Sequence, residues 1–148
     1  MNESKVILVG ESNPYGADPY YALYPCPDGC AGHRLCRLVL NMTRCTYLAA
    51  FERVNLCAGK WSIKEARARA EEIGYLNDRV VLLGSKVSAA FGVAFEPFTI
   101  KRQSDTGQAL AILPHPSGLC RLWNEPQAFE RARLTVYQLA PELEGVSA

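Results

Sequence analysis

The stretch RVVLLGSKVSAAFG, residues 79–92, decides the fold of this chain. After Arg79 it begins with an uninterrupted apolar run, which is the pattern of a buried strand. Gly84 ends that run, and residues 85–91 have the composition of a short helix that Gly92 ends. A buried strand that leads directly into a helix is the repeating unit of a parallel sheet covered by helices.

The same unit recurs on both sides of this stretch. Apolar runs predict buried strands at residues 5–9 and 108–113, residues 51–56 are predicted as a further strand, and residues 99–101 could add an edge strand. Helices are predicted at residues 31–42, 62–73, 85–91 and from about residue 124 onward. The sequence therefore predicts one α/β domain over residues 1–148: a three-layer α/β/α sandwich around a central, mostly parallel, four-stranded sheet.

Local signals predict where the helices begin and end and which of their residues face the core. Ser62 and Glu65 form a capping box at the start of one helix, and Gly74 is expected to end it. Pro126 suits the first turn of the last helix, where a missing N–H is harmless. The apolar positions expected to face the core are Leu35, Leu38, Val39 and Met42 in the first helix and Phe129, Leu134, Tyr137 and Leu139 in the last.

The composition excludes several classes of protein. Sixteen basic and fifteen acidic side chains give a net charge of +1, so the chain lacks the overall charge of a nucleic-acid coat protein. Any contact with DNA must therefore be local. No segment approaches the roughly 18 apolar residues of a membrane span, and no leader pattern is visible. We expect a soluble, cytoplasmic protein that has no membrane contact and acts as a monomer.

The six cysteines do not form a familiar metal motif. Cys26, Cys30 and Cys36 are spaced x3 and x5, which differs from the paired CxxC spacing of common zinc sites. We expect reduced thiols, no metal and no cofactor. The chain also has no GxxxxGK[ST] or GxGxxG stretch, which makes a phosphate-loop nucleotidase or kinase an unlikely assignment.

Chemically useful side chains follow the predicted strands. Asn13 lies beyond the first strand, Asn55 near the end of the second, and His115 beyond the last, between two prolines. Each alone is weak evidence, because it could be a plain turn, a strand-end cap or a rigid loop. Since the carboxyl ends of parallel strands meet at one edge, their joint position predicts a site there.

These loops resemble the motifs of the uracil-DNA glycosylase superfamily, and the resemblance spans nearly the whole chain. The family's first motif is matched by GESNPYG, residues 10–16, with one extra residue between Gly10 and Asn13. Its second motif is matched by PHPSGLCR, residues 114–121, which is very similar to the mismatch-specific branch. Residues 31–35, AGHRL, resemble the first helix of the iron–sulfur branch, but the four cluster cysteines of that branch are absent from their usual places.

The resemblance implies an enzyme that hydrolyses the N-glycosidic bond of a flipped-out uracil or modified pyrimidine in DNA and leaves an abasic site. Asn13 would hold the attacking water, with Glu11 as an alternative or helper. His115 would donate a hydrogen bond to the base O2 as negative charge develops there. Breaking this bond leaves positive charge on the sugar and negative charge on the base, so a glycosylase needs groups of both kinds.

The resemblance also implies how the base is read. The amide of Asn55 would pair with uracil or, turned over, with cytosine. Tyr24, or next Tyr21, would stack on the flipped base. Tyr15 would crowd the pyrimidine 5-position and exclude thymine, unless the extra residue swings it aside and opens room for a bulky 5-substituent.

The second motif implies the DNA contacts. Leu119 would fill the vacated base stack, while Ser117, the backbone around Gly118 and Arg121 would grip phosphates. Lys60, Lys86 and Arg102 are more typical of solvated charges.

Other functions remain open at this point. The substrate could be a bulky modified cytosine, such as a glucosylated hydroxymethylcytosine in phage DNA, which would make the enzyme an antiviral defence. The fold could instead hold a nucleotide or damaged DNA without cutting it. A third alternative is an enzyme that acts on free nucleosides, which the near-neutral charge allows.

Overall fold

A single mixed sheet forms the centre of the protein. The computed structural model describes residues 5–12, 19–76, 78–103, 107–117 and 120–146. Its strands are β1 (Val6–Ser12), β2 (Phe51–Cys57), β3 (Arg79–Leu83), β4 (Thr99–Arg102) and β5 (Ala109–Leu113). They lie in the order β2-β1-β3-β5-β4. All neighbours are parallel except β4, which runs antiparallel to β5.

The predicted α/β class and mostly parallel sheet are confirmed, but the predicted number of strands is wrong. The sheet has five strands rather than four, because residues 99–102 form a full edge strand against β5. Three of the parallel strands, β1, β3 and β5, carry the strong apolar runs of the sequence, whereas β2 lies at one edge of the sheet and β4 at the other. The edge strand β4 is only partly buried, so its own pattern is weaker.

Helices cover both faces of the sheet. A single α-helical turn, Ala31–His33, continues as a π-helical segment, Arg34–Val39, and we call the two together α1. The other helices are α2 (Arg44–Ala50), α3 (Ile63–Leu76), α4 (Ser85–Ala90) and α5 (Ala128–Leu139), and short 3-10 turns lie at Pro19–Tyr21, Arg121–Asn124 and Pro141–Val146.

Alternation along the strands separates two cores. Leu8 of β1 belongs to the cluster that includes residues of α1, α2 and α5. Its neighbour Val9 belongs to the cluster that includes residues of α3 and α4. Since successive strand residues point to opposite faces, both faces of the sheet are apolar and each needs a helical layer.

The first predicted helix is shorter than expected and is followed by a helix that the sequence analysis missed. The N–H of Leu40 donates to the oxygen of Leu35 at 2.9 Å, five residues back, and Thr43 begins α2 by accepting a hydrogen bond from the N–H of Thr46 at 3.1 Å. Leu38, expected in the core, is 41% exposed. The wider π turn changes the angle between successive residues, so α-helical spacing misplaces it.

Two other helix boundaries also differ from the prediction. Helix α3 continues through Gly74 to Leu76, because Gly74 does not adopt the left-handed conformation that ends a helix. The helix packs against β2. Helix α5 begins at Ala128 rather than near residue 124, since Gln127 has a left-handed φ of 67° that no helix can contain. Leu134 is 55% exposed and therefore lies on its outer face.

Candidate active site

His115 lies just beyond β5 with one ring nitrogen already engaged. The backbone N–H of Ser117 donates to Nδ1 of His115 at 3.2 Å. Because Nδ1 accepts, the proton of a neutral imidazole lies on Nε2, which is then a hydrogen-bond donor. Burial lowers the pKa of His115, and the positive charge of Lys86 lowers it further, whereas Glu11 acts in the opposite direction. The ring is thereby kept neutral at neutral pH.

Glu11 and His115 meet at Gly84, the residue that follows β3. Gly84 has a φ of +103°, and its N–H donates to the oxygen of Leu113 at 2.8 Å. A Cβ placed on Gly84 would lie 3.3 Å from Oε2 of Glu11 and 3.2 Å from Cβ of His115. Only a glycine suits both this backbone conformation and this crowding. A carboxylate from β1 and an imidazole from the loop after β5 thus flank one point at the carboxyl edge of the sheet.

The amide of Asn55 lies over the neighbouring part of β1. Asn55 is the register partner of Gly10 in the parallel pair of β1 and β2. A Cβ on Gly10 would lie 2.3 Å from Oδ1 of Asn55, so the amide occupies the space that any larger residue would fill. Asn55 is half-buried, and Glu11 directly follows Gly10. The predicted base-reading amide therefore lies against β1 one residue before Glu11, whose side chain leaves the strand on its opposite face.

Three tyrosines pack together beside β2. The ring centroids of Tyr20 and Tyr21 are 5.1 Å apart, as are those of Tyr21 and Tyr24. The guanidinium carbon of Arg53 lies 5.3 Å from the ring centre of Tyr20 and 5.6 Å from that of Tyr24. Tyr20 and Tyr21 are 55% and 53% exposed, while Tyr24 is half-buried. The cluster offers aromatic surface two residues along β2 from Asn55.

Sequence reasoning missed two members of this cluster. Tyr20 was not among the stacking candidates, although it is as exposed as Tyr21. Arg53 donates to the oxygen of Ala22 at 2.9 Å and so ties the tyrosine loop to the sheet. The sequence feature that could have indicated this contact is a charged residue in the middle of the predicted strand FERVNLC.

A second aromatic and cationic pair lies at the same edge of the sheet. Nζ of Lys86, near the start of α4, lies 5.8 Å from the ring centre of Trp61, which follows β2. Lys86 also acts electrostatically on His115. Lys86 is exposed, as expected for a solvated charge. Its position near His115 nevertheless lets its positive charge lower the pKa of that histidine. Trp61 was missed because nothing in its local sequence marks it.

Four of the predicted site residues lie outside the described residues: Asn13, Tyr15, Gly118 and Leu119. Two others, Ser117 and Arg121, lie on either side of residues 118 and 119. Ser117 is half-buried and engages His115 through its backbone, and Arg121 is exposed at the start of a 3-10 turn. These two residues therefore lie next to the His115 loop.

The thiols and acidic groups form no metal centre in the described part of the chain. No group of three or more His, Cys, Asp or Glu side chains there could hold a metal ion. All six cysteines are free thiols, and burial raises the pKa of Cys36. Across the same residues, no helix combines the length and apolarity that a membrane crossing requires.

Comparison with protein-family models and with curated proteins finds no match to this sequence.

Proposed function

We propose that this protein is a DNA glycosylase that hydrolyses the N-glycosidic bond of a flipped-out pyrimidine and leaves an abasic site. The observation that carries the proposal is the meeting of Glu11 and a neutral His115 at Gly84. Both residues belong to the segments, residues 10–16 and 114–121, that resemble the two motifs of the uracil-DNA glycosylase superfamily.

The charges of this pair suit the two charges that develop in the reaction. As the bond breaks, the sugar becomes positive and the base becomes negative. The carboxylate of Glu11 would stabilise the sugar cation or orient the attacking water, a role that the resemblance also gives to Asn13. Nε2–H of His115 would donate to O2 of the departing base, and a donor whose ring is already oriented by the N–H of Ser117 needs little reorganisation during the reaction.

The substrate pocket would use the groups beside this pair. The amide of Asn55 can both donate and accept hydrogen bonds, which suits the edge of a pyrimidine. The exposed rings of Tyr20 and Tyr21 provide faces on which a base can stack. Uracil is the base we favour, and a cytosine with a bulky 5-substituent is the alternative that the same amide accommodates.

The decisive experiment incubates the purified protein with oligonucleotides that contain uracil or modified pyrimidines, and with modified phage DNA. Alkali cleavage reports abasic sites, and mass spectrometry identifies the freed base. We expect His115→Ala to lower the cleavage rate about a hundredfold, because one transition-state donor is lost. Glu11→Gln should also lower the rate while DNA binding persists. Glu71→Gln, a change at an exposed glutamate on α3, is the matched control and should leave the rate unchanged.

Each alternative predicts a different result. Abasic sites that form only in modified phage DNA would identify the modified cytosine as the substrate. Binding without cleavage of any tested base would replace the enzyme with a binding module. Cleavage of free nucleosides but not of oligonucleotides would indicate a nucleoside hydrolase.

A further inference from the structure

The backbone that carries His115 is held at two successive carbonyl groups by side chains from other elements. Nε1 of Trp123 donates to the oxygen of His115 at 2.7 Å. Nε of Arg34 donates to the oxygen of Pro116 at 2.9 Å. Trp123 belongs to the 3-10 turn before α5, and Arg34 begins the π-helical segment of α1. Two separate parts of the fold thus hold the same pair of residues.

This segment cannot be held by the sheet. Strand β5 ends at Leu113, and the prolines at positions 114 and 116 have no N–H to donate. The carbonyl groups of His115 and Pro116 lie beyond the end of the strand and take their donors from side chains of other elements. Side-chain donors therefore replace the ladder of hydrogen bonds that would otherwise set the position of His115.

The indole donor is itself rigidly held. Trp123 is 5% exposed. Its ring stacks on Phe129 of α5 with centroids 5.3 Å apart, and it meets Phe98 edge-on at 6.2 Å. Because Phe129 belongs to α5 and Trp123 donates to His115, the indole links the position of the histidine loop to that of α5.

We propose that Arg34 and Trp123 are positioning residues that hold the imidazole of His115 where its Nε2–H can meet the departing base. The inference rests on the proposed role of His115 as the donor to that base. Neither side chain needs to touch the substrate. Since misplacing a reacting group by about 1 Å can cost about a hundredfold in rate, loosening either carbonyl contact should lower kcat more than it changes KM.

The test compares Arg34→Lys and Trp123→Phe with a matched control. Arg133→Lys removes a bond of the same kind, because Nε of Arg133 donates at 2.7 Å to the oxygen of Val39, the last residue of the segment that Arg34 begins. Cleavage of the best substrate from the oligonucleotide panel gives kcat and KM. Long-range ¹⁵N–¹H NMR spectra report which nitrogen of His115 carries the proton, and they do so without any substrate.

We expect Arg34→Lys and Trp123→Phe each to lower kcat about tenfold with little change in KM. In both variants the Nε2–H form of His115 should lose population, whereas Arg133→Lys should lower the melting temperature without either effect. Wild-type kcat together with an unchanged His115 spectrum in both variants would overturn the proposal. If Arg34→Lys does not fold, Trp123→Phe decides, because phenylalanine keeps an aromatic ring between Phe98 and Phe129.

The two proposals fail in different ways. Absence of cleavage by the wild-type protein on every substrate would overturn the glycosylase assignment. The NMR comparison would still show whether Arg34 and Trp123 set the state of His115, and an unchanged spectrum there would overturn the positioning role as well.

Discussion

His115 combines a half-buried ring, an Nδ1 that already accepts a hydrogen bond and two opposite charges nearby. Lys86 and burial both disfavour its protonated form, and Glu11 favours that form. The ring therefore stays neutral without losing its donor, since Nδ1 accepts from the backbone of Ser117. The same tautomer would be lost if the loop were free to turn.

The pKa of His115 should respond to its two charged neighbours in opposite directions. Lys86→Gln removes a positive charge and should raise this pKa, whereas Glu11→Gln removes a negative charge and should lower it further. A two-dimensional NMR titration can follow the ring directly, because the chain has only two histidines. Lys64→Gln, at an exposed position on α3, is the control and should leave the titration unchanged.

Because the pKa of His115 is lowered in the folded protein, this histidine makes the free energy of unfolding depend on pH. The unfolded chain binds a proton at His115 more readily than the folded chain, so this group favours folding fully above its ordinary pKa of 6.5. That contribution is lost as the pH falls from about 6.5 toward the lower pKa of the folded state. Lys86→Gln should raise the folded-state pKa of His115 and so narrow the pH range over which this stabilisation is lost. Denaturant unfolding curves recorded between neutral and acidic pH measure that range. An equal pH dependence in both proteins would contradict this account.

At the scale of elements, two glycines near helix ends show that residue type alone does not decide where a helix stops. Gly74 lies inside α3, and a Cβ there would meet only Oε1 of Gln108 at an ordinary 3.9 Å. Gly92 follows α4 with a φ of +74° and open space around it. Both glycines look like helix terminators in the sequence, but only Gly92 acts as one.

The same substitution should therefore have opposite effects at these two glycines. Gly74→Ala should raise the free energy of unfolding by about 0.5–1 kcal/mol, because alanine is less costly than glycine inside a helix. Gly92→Ala should lower it by about 1–2 kcal/mol, because a side chain disfavours the left-handed conformation. Denaturant unfolding of both variants measures the difference. Destabilisation by Gly74→Ala would show that α3 is strained beyond Ile73.

At the scale of the whole molecule, the sheet separates two independent cores. Leu139 of α5 belongs to the core on one face, and Ile73 of α3 belongs to the core on the other. Both side chains are buried, with exposures of 7% and 5%. Side chains in different layers share no packing partners, so the loss of one should not alter the cost of losing the other.

This separation predicts additive stability effects. Leu139→Ala and Ile73→Ala should each lower the free energy of unfolding by about 2–5 kcal/mol, because each leaves a cavity. The double variant should match the sum within about 0.5 kcal/mol. A large deviation from additivity would show that the sheet transmits strain between its faces.

The sequence by itself determined the α/β class, the four parallel strands, three of them with continuous apolar runs, and the strand ends and loop that carry Glu11, Asn55 and His115. Continuous apolar runs and their glycine boundaries are local signals, because burial on both faces forces them on every residue of a strand. The tertiary structure decided the edge strand, the π turn of α1 and the helix that continues through Gly74, since packing outweighs weak local preference there. It also decided how the site is supported. Arg34 and Pro116 are separated by 82 positions, and no local pattern reveals a hydrogen bond between residues that only the folded sheet brings together.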